Sequence, residues 1–189
     1  MNKIYSKDTS YNNNLYIRES HNCYNYFLNL KNYVAYKNCK EHDYNKQILC
    51  LRAQPGAASG YNKIKKSDIN CKEILNRTID DNKKIKKIKK GDRCNKNYYK
   101  AALVVDPYDD FHYYRLNDDG KWSHKPGRKM STIYDADNKI IKDPETANRN
   151  YGVRNYKNFC SYLCVPRTRK KMKMYNESRI IRRLNTLKH

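Results

Sequence analysis

The sequence has no stretch approaching the ~20 consecutive apolar residues that a helix needs to cross a bilayer, and Met1–Ser20 lacks the apolar core of a signal peptide. Seven cysteines contain no Cys-x-x-Cys pair, so the close ligand spacing of a structural zinc site is missing. No metal or cofactor is expected. Acidic residues are scarce: 19 Asp+Glu stand against 41 Lys+Arg, a formal charge of +22. That imbalance points away from a neutral partner and toward a polyanion, whether nucleic acid, an anionic membrane or an acidic polymer. RNA- or DNA-reading motifs with aromatic stacking spacing are also absent, so nucleic acid would be bound without sequence specificity. Without an export signal, the protein is expected to be cytoplasmic or packaged in a virus particle.

The residues that are present fit one domain with tails. Apolar residues make up 38% of 189 and there are 19 tyrosines, which predicts a small, aromatic core. Apolar runs, turn signals and reactive side chains coincide in Ala101–Gly127. Ala101–Val105 is a β-prone run closed by Asp106-Pro107, Phe111–Leu116 is an aromatic run, and Asn117-Asp118-Asp119-Gly120 is a turn leading into Lys121–His124. These segments predict a meander of consecutive antiparallel strands. Strand alternation puts His112, Tyr114 and Leu116 on one face, and a turn near Asp118 would set His124 across the hairpin from His112. Paired imidazoles are suited to moving protons near neutral pH.

A nucleophile to match is Cys23. Tyr24, Phe27, Leu28 and Leu30 recur at helical spacing just after it, and Asn22 is placed to cap that helix. A thiol in a first helical turn feels the positive end of the macrodipole, which would depress its pKa and make it the most reactive thiol of the chain.

A cysteine at a helix start, then a meander carrying a histidine and a second polar residue about a dozen positions later, resembles the papain-like fold of NlpC-type peptidases and CHAP-type amidases. The resemblance implies an α+β domain with Cys23 as nucleophile on a helix packed against an antiparallel sheet. His112 would be the general base, and His124 the residue orienting it, with Asp135 or Asp143 as alternatives. The expected activity is amide or ester cleavage through a Cys23 thioester. The stretches Asn22-Cys23-Tyr24, Arg52–Gly56, His112-Tyr113-Tyr114-Arg115 and Trp122–Gly127 are similar to an uncharacterised family of bacteria and large DNA viruses. The alternative is a non-enzymatic basic structural or nucleic-acid-packaging protein.

Elsewhere, residues 1–15 predict a flexible polar arm, 16–166 the domain, and 167–189 a basic amphipathic helical tail with nine Lys+Arg and one acid. Asn32–Lys46 reads as a polar connection, and Gln54–Gly60 as a loop that either closes over a cleft or is a surface turn. Ser67–Ile88 predicts a helix capped by Ser67 or Asp68, continuing through the KKIKKIKK run to a stop at Gly91. Lys83, Lys84, Lys86, Lys87, Lys89 and Lys90, with Arg167, Arg169, Lys170, Lys171, Arg182 and Arg183 of the tail, are the candidate polyanion contacts. A second hairpin is expected over Ser131–Asp143, turning at Asp137-Asn138, and a last strand over Phe159–Val165. In that strand Cys160, Tyr162 and Cys164 would share a face, with burial of both thiols the expected state. The cysteines are consistent either with reduced thiols or with three disulfides that leave Cys23 over.

Overall fold

The structure, a computed structural model, describes residues 9–41, 50 and 52–167. The chain is α+β, built on a five-stranded sheet in the order β1-β5-β2-β3-β4 with antiparallel neighbours throughout. The strands are β1 (Lys86–Ile88), β2 (Tyr98–Asp106), β3 (Asp110–Leu116), β4 (Trp122–His124) and β5 (Asn158–Pro166). Helices are α1 (Leu15–Ser20), α2 (Cys23–Phe27), α3 (Tyr33–Glu41) and α4 (Cys71–Asp81).

Ala101–Val105 forms the middle of β2 and is completely buried because the sheet is covered on both faces. Ala101, Leu103 and Val105 face a layer holding Cys23, Phe27 and Ile74, together with Phe111 and Tyr113. Ala102 and Val104 face the opposite layer with Tyr114, Trp122, Ile141 and Tyr156. The expected meander is present. The β3–β4 turn is fixed by Asn117, which donates from Nδ2 to the Lys121 carbonyl, and by Gly120 at φ 74°.

Several boundaries differ from the sequence expectation. The packed region begins before Tyr16: Thr9–Tyr11 forms a 3-10 turn, and the Tyr11 ring is buried edge-on against Tyr26 at 5.2 Å. Asn32–Lys46 is not a plain connection, because Asn32 accepts from the Ala35 N–H and starts α3, which buries Ala35 and Cys39. The long helix expected over Ser67–Ile88 is only α4, capped by Asn70, which accepts from Glu73 N. Asn82 ends it. Its side chain accepts from Lys84 N and its carbonyl from Ile85 N, an Asx turn that competes with the helical pattern. Ile85 then enters the core, and Lys86–Ile88 leaves the turn as a strand against β5. The hairpin over Ser131–Asp143 is reduced to single bridges, Tyr134 with Ile140 and Thr132 with His124, turning through Asn138 at φ 59°.

Six cysteines form three disulfides, Cys39–Cys50, Cys71–Cys160 and Cys94–Cys164, and Cys23 is the free one. Burial as thiols is therefore wrong for Cys160 and Cys164. They also do not share a face, because the β2–β5 register shifts between Leu103 and Val104 and leaves Cys160 as the extra residue. The bulge turns Cys160 toward α4, where Cys71 waits. Tyr162 packs in the opposite layer, against Trp122.

Candidate functional site

Helix α2 is short but firmly started. Asn22 Oδ1 accepts from the Tyr24 and Asn25 N–H groups at 3.1 and 3.2 Å, and Asn25 Oδ1 accepts from Asn22 N, which closes a capping box. Asn22 Nδ2 donates to the Ala53 carbonyl at 2.7 Å and ties this end to the 54–60 loop. That loop does not stand free as a lid. Gly56, at φ 88°, and Ser59 donate their N–H groups to the Asp81 carboxylate, which also accepts from Tyr24 Oη at 2.8 Å.

Cys23 opens α2 and is buried, its Sγ 3.8 Å from the Phe111 carbonyl of β3. The expected acidity is reversed. Burial pushes the thiol far up, and the nearby Asp110 carboxylate pushes it the same way. A five-residue helix has too few aligned peptides to oppose that desolvation. The thiol is protonated at neutral pH.

The two histidines do meet. Tyr114 pairs with His124 across β3 and β4, so His112, two residues away on the same face, lies diagonal to His124. His112 Nε2 and His124 Nδ1 are 2.7 Å apart, and His124 Nε2 is 2.9 Å from the Tyr134 carbonyl. The carbonyl can only accept, so His124 carries its proton on Nε2 and His112 Nε2–H donates to His124 Nδ1. Both rings are held neutral. Burial, then His124, drives His112 well down, and burial pushes His124 down to about 4.

Strand alternation sends successive β3 side chains to opposite layers. Phe111 and Tyr113 face the Cys23 layer, whereas His112 and Tyr114 face the layer of Tyr156. Among the described contacts, Cys23 Sγ meets the β3 main chain, and His112 is enclosed by Tyr114, His124 and Tyr156. Neither aspartate considered for orienting His112 bonds to it. Asp135 accepts from the N–H groups of Asp137, Lys139 and Asn148, although its charge reaches His124, while Asp143 accepts from Tyr162 Oη and pairs with Lys90.

Two polar groups that sequence reasoning missed, Lys125 and Arg115, are buried around this region, and a third, Asp110, is half-buried. Lys125 Nζ donates to the carbonyls of Arg18 and Gly127, each at 2.7 Å, and burial pushes it down to about 7. Arg115 lies 3.7 Å above the Tyr26 ring and donates to the Tyr26 carbonyl and to Asn29 Oδ1. Asp110 accepts from Tyr156 Oη at 2.9 Å, and burial raises its pKa. Nothing in local composition marks a lysine or arginine for burial, but the turn-forming Asp109-Asp110 pair is visible.

The candidate polyanion contacts divide. Lys83 pairs with Asp80, Lys90 with Asp143 and Glu145, and Arg167 with Asp118. Lys84, Lys86, Lys87 and Lys89 are exposed and have no carboxylate partner among the described residues. Arg169, Lys170, Lys171, Arg182 and Arg183, with the helical tail expected there, lie outside the described residues. Among the described residues, no helix is long and apolar enough to cross a membrane.

No protein-family model matches the chain, and no solved structure matches it. A curated protein does: insoluble matrix shell protein 1 of Ruditapes philippinarum is 32% identical over 155 residues, covering 81% of this chain and 85% of the relative. A likeness of that extent places the chain in the family of insoluble matrix shell protein 1.

Proposed function

We propose that this protein is a non-enzymatic structural component of an insoluble matrix, a basic disulfide-braced domain that binds acidic polymers. The observation that carries the reading is the state of the seven cysteines: six are bridged, and the seventh is a buried, protonated thiol set against backbone. Bridged cysteines belong to an oxidising, extracellular setting, where a matrix protein works. A thiol held protonated by its surroundings is a packing group and a poor nucleophile. The name of the Ruditapes relative supports the same role. Lys84, Lys86, Lys87 and Lys89, which have no carboxylate partner among the described residues, supply the attraction for an acidic polymer.

The test is co-sedimentation of the oxidised protein with polyaspartate or an acidic polysaccharide. Insoluble complexes should form at low ionic strength, dissolve as salt screens the charges, and be unaffected by Cys23→Ala. Protein that stays in the supernatant at low salt, or Cys23-dependent cleavage of amide or ester substrates, would refute the reading.

A second reading, a papain-like thiol hydrolase of the NlpC/CHAP kind, is favoured by the 2.7 Å His112–His124 hydrogen bond in the order Cys, His, His. Cys23 would attack a carbonyl to form a thioester, His112 would take the thiol proton and return it to the leaving group, and His124 would orient His112. This requires the thiol to leave the Phe111 carbonyl and reach His112. Trapping of a Cys23 acyl-enzyme that disappears in His112→Ala would establish it, and no trapped adduct would exclude it.

A further inference from the structure

The two edges of the sheet are treated differently. At the β4 edge, His124 and Thr132 exchange both main-chain hydrogen bonds, at 2.9 and 2.8 Å, so the loop after β4 closes that side. At the other end the strand order stops at β1, and no described strand lies beyond it. The chain is held straight there by its flanks: Ile85 is buried on one side of the sheet, Ile88 packs into the layer on the other, and Lys89 N–H is tied to Asp92. Between these anchors Lys86 and Lys87 are exposed on alternate faces, with Lys84 and Lys89 just outside. A sheet edge with no described strand beyond it is thus bordered on both faces by cations that no described carboxylate neutralises.

We infer that the outer edge of β1 is a docking site for an extended acidic polypeptide, which adds to the sheet as a sixth strand while its carboxylates meet Lys84, Lys86, Lys87 and Lys89. The inference rests on the matrix reading and names the acidic partner and how it binds. Alternate side chains of an added strand project to opposite faces, which matches cations on both faces of β1. Charge also selects against the obvious competitor. A second copy pairing β1 with β1 would set one KKIKKIKK run against another, and like charges opposite each other destabilise a ladder. The lysines that protect the edge from self-association therefore admit an Asp- or Glu-rich strand.

The experiment measures binding of an octa-aspartate peptide to the full-length oxidised protein, beside the same peptide N-methylated at every amide. Charge and length are equal, but the methylated chain cannot donate to a ladder. With about two ladder bonds at stake, methylation should weaken binding about tenfold or more. The unmethylated peptide should also slow amide exchange within Lys86–Ile88, and Lys84→Glu with Lys87→Glu should abolish binding. Equal affinity of the two peptides, unchanged exchange in β1, or no binding of either would overturn the inference. Equal affinity would leave a charge-only contact, open equally to nucleic acid, and the matrix reading would survive it. Failure to co-sediment with any acidic polymer would instead remove the matrix reading itself.

Discussion

Removing either of the two long-range disulfides should cost less than removing the second after the first, because the bridges interlock. Cys71–Cys160 spans 89 residues and Cys94–Cys164 spans 70. With one bridge intact, the path between the other pair is cut to about 27 residues, made of the segment from Cys71 to Cys94 and the short segment from Cys160 to Cys164. Chain-entropy arithmetic gives about 3.5 kcal/mol for closing a loop of that size and about 4.5 kcal/mol for either bridge alone. Cys71→Ala/Cys160→Ala and Cys94→Ala/Cys164→Ala should therefore each lose about 3.5 kcal/mol, and the four-alanine protein about 8 kcal/mol, comparable to the whole stability of a domain. Urea unfolding followed by the fluorescence of Trp122, the one tryptophan and a buried one, reads this directly. Each single-bridge variant should shift its midpoint by about 1.5–2 M, and the four-alanine variant should be unfolded or nearly so. A four-alanine protein that unfolds cooperatively near the native midpoint would refute the view that the bridges brace this sheet.

Three further outcomes follow from the buried polar groups. His21 and His124 are both pushed down to about 4 by burial, against about 6.5 in the unfolded chain. The unfolded state thus takes up protons first, and stability should fall by about 3 kcal/mol per histidine as pH drops from 6.5 to 4, measurable as urea midpoints across that range; a flat profile would contradict it. Arg115→Met should cost about 3 kcal/mol, since it leaves the Tyr26 carbonyl and Asn29 Oδ1 without this donor and removes the cation from the Tyr26 ring. Asp81→Ala should cost a similar amount and expose residues 54–60 to limited proteolysis, because Gly56, Ser59 and Tyr24 all donate to that carboxylate; resistance equal to that of the native protein would show that the loop is held otherwise.

The parts of the fold legible in the sequence were those written in local pattern. Alternation and turn residues place β2, β3 and β4, Asn22 marks the start of α2, and cysteine parity allows Cys23 to be the odd thiol. Local pattern misleads where a single side chain redirects the backbone. The Asx turn at Asn82 converts an apparent helix end into an edge strand, and the bulge at Cys160 reverses the face of every residue on one side of it. The candidate site shows the same division. The His112–His124 pairing follows from alternation, but the environment of Cys23 depends on how deeply tertiary packing buries it and on an aspartate 87 residues away in the chain. A helix-start cysteine reads as activated in sequence and is silenced by burial in the fold.

The most direct test of the structural, non-catalytic role is the ionisation of the Cys23 thiol in the native, fully oxidised protein. Thiolate absorbance near 240 nm is followed against pH, with Cys23→Ala as the baseline. A thiol buried beside Asp110 and set against the Phe111 carbonyl should show no thiolate up to pH 10, where an ordinary cysteine near pKa 8.5 is almost wholly ionised. A thiolate present below pH 7 and lost in His112→Ala would contradict the account and identify an ion pair poised for catalysis.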